Sequence, residues 1–292
     1  MTSVLTVLGS CGAWPEAGRA CSGFLLEHEG YRVVLDLGYR TATRLFDLLG
    51  SPVAEGLDAV VITHRHPDHM IDLHTLFQAR AGAGEGGDGS GALPPLPVYA
   101  TDGVRMTVRA RRGDAPGRDV DSVFRWHELP GDYDLGPFHL TARRLPHVVP
   151  NAGVRLDAGS VSVAYNGGCG PSAELVELAA GVDLFIAEAS DRYQRVQVPA
   201  SLQSEFHLDG HTAGDIATAA GARRMLLTHF WPGNDRQRTL ADARRSFDGP
   251  IALADEGLRL PLSAQAGRAD PSIGPRVETT GSSAAPAQKG TR

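Results

Sequence analysis

The chain has 292 residues, of which 42% are hydrophobic, and it carries a formal net charge of -6 with a pI near 6.0. That length can bury an ample core as one large domain or two small ones, and the acidic charge argues against a dedicated nucleic-acid-binding protein. The three cysteines, Cys11, Cys21 and Cys169, are too few for a disulfide framework, and they predict reduced thiols in the cytoplasm.

The sequence predicts neither a signal peptide nor a membrane-spanning helix. Residues 1–5 carry no basic segment ahead of an apolar one, which a signal peptide requires. No apolar run approaches the roughly 18 residues that a spanning helix needs. We therefore expect a cytoplasmic protein with no membrane partner.

Strand-like and helical patterns alternate along the first third of the chain. Apolar runs bounded by turn residues predict strands at 3–8, 22–26, 31–35 and 57–63. Apolar residues at helical spacing predict helices over Thr41–Leu49 and 70–81. Residues 82–97 are mostly Gly, Ala and Pro with almost nothing to bury, and they predict a flexible surface loop.

The alternation continues to residue 262. Further strands are predicted at 97–101, 122–128, 138–144, 161–165, 183–187, 225–228 and 251–254, and helices at 172–180, 212–220 and 237–247. Residues 263–292 lose apolar content and predict a disordered tail after a domain that spans residues 1–262. Periodicity alone indicates an α/β or α+β fold.

A cluster of possible metal ligands follows the strand predicted at 57–63. Its members lie within six residues and are His64, His66, Asp68 and His69. His64 and His66 are two residues apart, so an extended segment projects both to the same side. Pro67 can open a helix that carries the other two. Strand-to-helix turns are where α/β proteins usually place their sites, and imidazoles with a carboxylate suit zinc, with manganese or iron as alternatives.

The arrangement His-x-His-x-Asp-His after a strand resembles the signature of the metallo-β-lactamase-fold hydrolases. Further segments extend the resemblance: 8–12, 34–38, His147 with 153–155, and His229 within 226–230. Within that superfamily the likeness is greatest to the ribonuclease Z-like branch, particularly to small bacterial members that cleave cyclic nucleotides or other phosphodiesters. The resemblance covers about residues 3–262 and implies an α+β fold, the four-layer αββα sandwich.

The resemblance also implies a site with two zinc ions. One ion would be held by His64, His66 and His147, and the other by Asp68, His69 and His229. Asp68 would in addition orient the nucleophile. Independently of the resemblance, His64, His147 and His229 each follow an extended apolar run, so strands that point the same way would bring them to one edge.

A further histidine is implied as the general acid. The segment Phe206-His207-Leu208, with 213–217 after it, resembles the catalytic-histidine motif of the same branch. His207 would protonate the leaving group, which suits a side chain with an ordinary pKa of about 6.5. The alternative interpretation of His207 is a surface histidine at the start of a helix. Glu188, at the end of another predicted strand, would support a ligand histidine.

The segment from Tyr165 to Pro171 departs from the family pattern. Related proteins carry an aspartate there that bridges both metals, and its position here is Gly168. Glycine offers no ligand atom, so the second metal keeps three candidate ligands and is expected to bind more weakly. Cys169 comes next, and a thiolate binds zinc well. Because a shift of one residue along the turn would aim it elsewhere, a thiol without contact to metal is the alternative.

The leading hypothesis is a metal-dependent phosphodiesterase. Members that process transfer RNA usually carry a long basic arm, and none lies between His147 and His229. Together with the acidic charge, this favours a small-molecule substrate over transfer RNA. The same fold could instead hydrolyse a carboxylic ester, thioester or lactone, and Gly168 motivates a third hypothesis, a degenerate non-catalytic binding protein. Because members of the family are often dimers, a homodimer is a further expectation.

Overall fold

The computed structural model describes residues 3–83, 93–112, 118–159, 161–190 and 206–262, which fold around two seven-stranded sheets. The tail predicted at 263–292 and most of the loop predicted at 82–97 lie outside these residues. At the described ends of that loop, Gly82 is the last residue of a helix and Leu96 the first residue of a strand.

The first sheet is built mainly from the amino-terminal half of the chain. In spatial order its strands are β14 (Arg259–Pro261), β1 (Val4–Gly9), β2 (Gly23–His28), β3 (Tyr31–Leu37), β4 (Ala59–Ile62), β5 (Leu96–Thr101) and β6 (Phe124–Leu129). Pairing is antiparallel from β14 to β3 and parallel from β3 to β6. The parallel strands therefore end at one edge of the sheet.

The second sheet repeats this arrangement. In spatial order its strands are β13 (Ile251–Leu253), β12 (Met225–Thr228), β11 (Leu184–Glu188), β10 (Val161–Tyr165), β9 (Ala152–Ala158), β8 (Phe138–Arg144) and β7 (Gly131–Leu135). Pairing is antiparallel from β7 to β10 and parallel from β10 to β13. Strands β8, β10, β11 and β12 consequently run in one direction.

Helices cover the outer face of each sheet. On the first sheet lie α1 (Thr41–Leu49), α2 (Pro67–Gly82), α3 (Val104–Arg112) and α4 (Val120–Val123), and on the second lie α5 (Ala173–Leu178), α6 (Gly210–Ala220) and α7 (Arg236–Ala243). One apolar layer fills the space between the sheets, and one more lies under each set of helices. Burial of these layers is the main force that holds the sheets and helices together. The expected α+β four-layer αββα sandwich is confirmed.

Five elements of the structure were not expected from the sequence: β7, β9, β14, α3 and α4. Strand β7 is mostly half-buried or exposed, so it lacks a clear apolar face. Helix α3 buries only Val104 and Val108 among many arginines. The strand predicted at 122–128 begins inside α4, where Asp119 caps the helix by accepting the N–H of Asp121. None of the described helices is long and apolar enough to cross a membrane.

The two sheets are joined by hydrogen bonds at one edge. The backbone N–H of Ala152, the first residue of β9, donates to the carbonyl of Thr63, which follows β4, at 3.0 Å. His64 pairs with Asn151 as an isolated antiparallel bridge. These contacts bring the end of β4 against the loop that follows β8.

Candidate metal centre

Three imidazoles meet where the sheets are joined. His64 follows β4, His66 is the residue that precedes α2, and His147 follows β8. The Nε2 atoms of His64 and His147 each lie 3.1 Å from Nδ1 of His66. A single ring proton cannot satisfy both neighbours, whereas three lone pairs can bind one cation. Tetrahedral zinc with Zn–N bonds of about 2.0–2.1 Å would hold its nitrogens about 3.3 Å apart, which is close to these separations.

Burial keeps this first group uncharged. It lowers the pKa of His64 well below its ordinary value, that of His66 to about 4 and that of His147 to about 3. All three rings are therefore neutral at neutral pH. The neutral imidazole is the form that binds a metal, so this group suits a divalent cation without loss of a proton.

A second group, whose three members are all buried, lies beside the first. Asp68 and His69 belong to the first turn of α2, and His229 follows β12. Oδ2 of Asp68 lies 3.2 Å from Nε2 of His229 and 3.5 Å from Nε2 of His69. Nε2 of His69 is buried and has no hydrogen-bond partner in the part of the chain that the structure describes. Because orphaned buried nitrogens are rare, an atom of this kind beside a carboxylate and an imidazole fits a metal ligand.

The second group is ionic. Burial raises the pKa of Asp68, but the neighbouring His69, the hydrogen bond from His229 and the N–H of Ala13 together hold it well below its usual range. Burial lowers the pKa of His229, whereas hydrogen bonds to Asp68 and Glu188 raise it, to about 10 overall. The pair is thus a carboxylate and an imidazolium at neutral pH. A cation bound here would take the place of the His229 proton.

Four of the five candidate ligand histidines are oriented through their other ring nitrogen. The contacts are His64 Nδ1 with Thr63 Oγ1 at 3.0 Å, His147 Nδ1 with the Phe206 carbonyl at 3.1 Å, His69 Nδ1 with Asp36 Oδ2 at 2.7 Å, and His229 Nδ1 with Ser190 Oγ at 2.5 Å. Metal-binding histidines usually make such a hydrogen bond, which fixes the ring and its tautomer. The orientation directs each Nε2 towards its own group of ligands.

Asp36 contacts His69 of the second group and Thr63, whose hydroxyl contacts His64 of the first group, a role that the sequence did not predict. It is fully buried in β3 with φ +58, a backbone conformation uncommon for residues other than glycine. Its carboxylate accepts the N–H of Thr63 at 2.8 Å, the hydroxyl of Tyr165 at 2.8 Å and Nδ1–H of His69 at 2.7 Å. An acidic residue within an apolar strand was the available signal, because unpaired carboxylates are almost never buried.

His207 lies beside both groups and is held by Glu188. Its Nδ1 is 3.0 Å from Oε2 of Glu188, and its ring centroid is 5.3 Å from that of His147 and 6.0 Å from that of His229. Glu188 is fully buried at the end of β11 and also accepts the hydroxyl of Ser190 at 3.0 Å. Burial raises its pKa, but His207 and His229 outweigh that effect and keep the carboxylate ionised.

The turn after β10 places Gly168 against the first group. A Cβ at this position would lie 3.3 Å from Cε1 of His147 and 3.4 Å from Cε1 of His64, so a side chain here would face the imidazoles. Cys169 belongs instead to the apolar layer under the helices of the second sheet, where its Sγ accepts a hydrogen bond from Asn166 at 3.3 Å. Burial, followed by the charge of Glu188, raises the pKa of the thiol well above its ordinary value. A protonated Cys169 that belongs to neither group favours the alternative without metal contact.

The structure therefore brings together every predicted ligand, and their roles in metal binding stay predictions. Their ligand atoms lie within 4.8 Å of one another inside each group: His64, His66 and His147 in the first, Asp68, His69 and His229 in the second. His207 and Glu188 also come within that distance of each other and of His229. Residues that the sequence analysis missed are Asp36, Ser190 and the backbone N–H of Ala13, which donates to Asp68 at 2.7 Å.

Known proteins are similar to this chain in sequence over most of its length. The uncharacterized protein Rv1339 of Mycobacterium tuberculosis is 31% identical over 253 residues, which cover 85% of this chain and 88% of that protein. The probable metallo-hydrolase YhfI of Bacillus subtilis is 28% identical over 259 residues, with coverage of 87% and 97%. A ribonuclease Z of Thermobifida fusca is 26% identical over 310 residues, with coverage of 90% and 96%.

The fold and a family pattern agree with these relatives. The crystal structure of YhfI superimposes with a TM-score of 0.74 at 25% identity and covers 89% of this chain and 100% of its own. The family model of the beta-lactamase superfamily domain matches residues 31–230, which include both candidate ligand groups. The chain belongs to the β-lactamase superfamily of metallo-hydrolases.

Proposed function

We propose that this metallo-hydrolase is a zinc-dependent phosphodiesterase that cleaves a small phosphodiester such as a cyclic nucleotide. The observation that carries the proposal is the position of His207. Its Nδ1 is held by Glu188, and its ring lies beside the rings of both His147 and His229. A proton donor at this place is within reach of a group bound between the two ligand groups.

The donor set fits zinc. Three neutral imidazoles converge in the first group, and the second adds a carboxylate to two imidazoles, which are the nitrogen and oxygen ligands that zinc prefers. Zinc bound there would lower the pKa of a water molecule and polarise the phosphoryl oxygens. Asp68, which its contacts keep ionised, would accept a hydrogen bond from that water and so orient it.

His207 would then deliver a proton to the leaving oxygen. The alkoxide released from an unactivated phosphodiester is strongly basic, so its departure benefits from a general acid. Glu188 fixes the tautomer of His207 by accepting from Nδ1, which leaves Nε2 to carry the proton towards the substrate.

Two further points support a phosphodiester of small size. The ribonuclease Z of Thermobifida fusca shares 26% identity over 90% of this chain, and its name denotes action on a nucleic acid whose backbone is built of phosphodiesters. The net charge of -6 opposes binding of a long polyanion, which depends on many phosphate contacts with basic residues. We therefore expect a small-molecule substrate and not transfer RNA.

Gly168 favours one competing function, a protein that binds a phosphate ester without cleaving it. The family's bridging aspartate is replaced at a position whose side chain would face His64 and His147. A metal pair without this carboxylate would bind less tightly. Ester, thioester or lactone hydrolysis is kept only as an outcome of the test below, because no contact of the described residues favours it.

A substrate panel tests the proposal. Zinc-loaded protein would be assayed with 3′,5′-cyclic AMP, bis-p-nitrophenyl phosphate and p-nitrophenyl acetate, with a parallel sample treated with chelator. We expect chelator-sensitive hydrolysis of both phosphodiesters and little reaction with the acetate ester. Hydrolysis confined to the acetate would assign the site to carboxylic esters, and tight binding of cyclic AMP without turnover would assign it to the binding protein.

A further inference from the structure

The loop between β1 and β2 carries an exposed tryptophan to the rim of the metal centre. Trp14 has 42% of its surface exposed. The preceding residue, Ala13, donates its N–H to Oδ2 of Asp68 at 2.7 Å. One residue earlier, a Cβ on Gly12 would lie 2.6 Å from the ring of His229, so only glycine lets the loop come this close. Two candidate ligands therefore fix the position of Trp14.

The backbone of this loop is strained at Ala13, next to Trp14. Ala13 has φ +62, which is uncommon for a residue with a side chain and is tolerated where surrounding contacts enforce it. The N–H of Trp14 donates to the carbonyl of Gly12 at 2.8 Å and closes the turn. The strain is compensated by the hydrogen bond that Ala13 makes with Asp68.

A row of aromatic rings connects Trp14 with the general acid. The ring of Trp231 lies 6.2 Å from that of His207 at 82° and 5.8 Å from that of Trp14 at 63°. The ring of Trp14 is consequently no more than 12 Å from that of His207. Trp231 meets Trp14 edge to face, a favourable geometry that holds one ring against the other.

We propose that Trp14 stacks on a planar aromatic group of the substrate, which makes the substrate a phosphodiester that carries a nucleobase. The inference rests on the proposed function and names the part of the substrate that lies away from the cleaved bond. Base–aromatic stacking suits an exposed tryptophan because every base has a π face. In a nucleotide the sugar separates the phosphate from the base, so a phosphate at the metal centre would leave the base towards the rim.

The location of Trp14 sets it apart from other exposed apolar side chains. Within the described residues the large ones are Trp14, Leu48, Met106 and Val148. Trp14 is the aromatic member of this set, and its neighbour Ala13 contacts a candidate ligand. Leu48 has a similar exposure of 45% but lies in α1, so it provides a matched control.

Binding of two phosphate compounds to the zinc-loaded full chain tests the inference without any need for turnover. Calorimetry would compare AMP with ribose 5-phosphate, which share the sugar phosphate and differ in the base. We expect AMP to bind more tightly to the wild-type protein. Removal of one stacking contact in Trp14→Ala should weaken AMP binding by about 5- to 150-fold and leave ribose 5-phosphate unchanged. Trp14→Phe should keep most of the preference, and Leu48→Ala all of it.

Several outcomes would overturn the inference. Equal affinity of the wild type for the two compounds would remove the base from recognition. An equal loss for both compounds in Trp14→Ala would assign the ring to the stability of the loop. An unchanged preference combined with dissociation of a dimer, seen by sedimentation, would assign Trp14 to a contact between copies of the chain.

The result is separable from the proposed hydrolysis. A Trp14-dependent preference for AMP in a protein that cleaves no phosphodiester would uphold the stacking surface and refute the phosphodiesterase. Cleavage of phosphodiesters with no preference for the base would do the reverse.

Discussion

The two candidate ligand groups lie side by side and differ in their chemistry. The first contains three imidazoles whose pKa values burial lowers, two of them to about 4 and about 3. The second contains a carboxylate and an imidazolium, with Asp36 and Glu188 as further buried carboxylates around it. The ring centroids of His64 and His69, one from each group, are only 4.1 Å apart.

This difference shows that one edge of the sandwich can hold two ligand groups of different charge, one neutral and one ionic. The first group offers neutral donors that need lose no proton, but it contributes no negative charge to balance a dication. The second group supplies the charge, but its His229 proton must leave before a cation enters. Gly168, which faces the first group, lacks the carboxylate that would otherwise compensate a charge there.

The largest expected effect is loss of one metal ion from the first group. His64 and His66 provide two of its three nitrogens, so the double variant His64→Ala/His66→Ala should contain one zinc fewer per chain. Mass spectrometry of the purified protein measures this directly. The control is His74→Ala/His139→Ala, which removes two histidines outside both groups. Unchanged zinc in the site variant would refute the assignment of the first group.

The next effect concerns catalysis without change of metal content. Removing a general acid in His207→Ala should lower kcat for an unactivated phosphodiester by a factor of about 10² to 10⁴. The loss should be much smaller with bis-p-nitrophenyl phosphate, whose leaving group needs no proton. His211→Ala, four residues further on and half exposed, should retain activity on both. A similar loss on both substrates would show that His207 binds substrate or supports the structure.

The dependence of zinc affinity on pH should separate the two groups most clearly. Above about pH 5 the three histidines of the first group are already deprotonated. The zinc affinity of this group should therefore not depend on pH there, and it should fall only as the pH approaches 4. In the second group zinc displaces a proton from His229, whose pKa is about 10. Its affinity should rise about tenfold per pH unit, or about 100-fold from pH 6 to 8. Chelator competition on His64→Ala/His66→Ala would measure the second group alone, and competition on His69→Ala would measure the first. Equal slopes of zinc affinity against pH in the two variants would contradict the predicted difference between the groups.

The sequence predicts the ligands better than it predicts what orients them. His64, His66, Asp68 and His69 form a local motif in which strand and helix periodicity already place the side chains together. Asp36 lies 33 positions from His69, and its contact depends on the packing of β3 against the start of α2. Such a contact leaves no mark in local spacing.

Weak periodicity explains why two of the missed elements, β7 and α3, left no signal in the sequence. A strand is visible in the sequence where its residues form a continuous apolar run, as in β4, all of whose residues are buried. Strand β7 and helix α3 show weak periodicity because few of their side chains face a core. Their place in the fold is set by neighbouring strands and helices, which a single sequence does not reveal.

A smaller effect is expected from restoring a carboxylate at the turn. Gly168→Asp would add a negative charge beside His64 and His147, so we expect zinc affinity to rise about tenfold or more and activity to rise with it. The Cβ contacts of 3.3 and 3.4 Å require a small shift of the rings, which Gly168→Asn would also require. Asparagine is the matched control without charge. Equal behaviour of the two variants would show that size, and not charge, matters at this position.

The smallest effect on the metal centre is expected at Cys169. Its thiol is protonated and contacts Asn166 within an apolar layer, so Cys169→Ser should keep the full zinc content. A buried hydroxyl without a good acceptor costs about 1–3 kcal/mol, so the variant should unfold at a lower denaturant concentration. Cys11→Ser, which alters another buried thiol, is the matched control.

Cobalt-substituted protein gives a second measurement of whether Cys169 binds metal, because a metal-bound thiolate produces an intense charge-transfer band. We expect no charge-transfer band that depends on Cys169. Such a band, together with loss of zinc in Cys169→Ser, would show that the thiolate is a metal ligand and that it substitutes for the aspartate missing at Gly168.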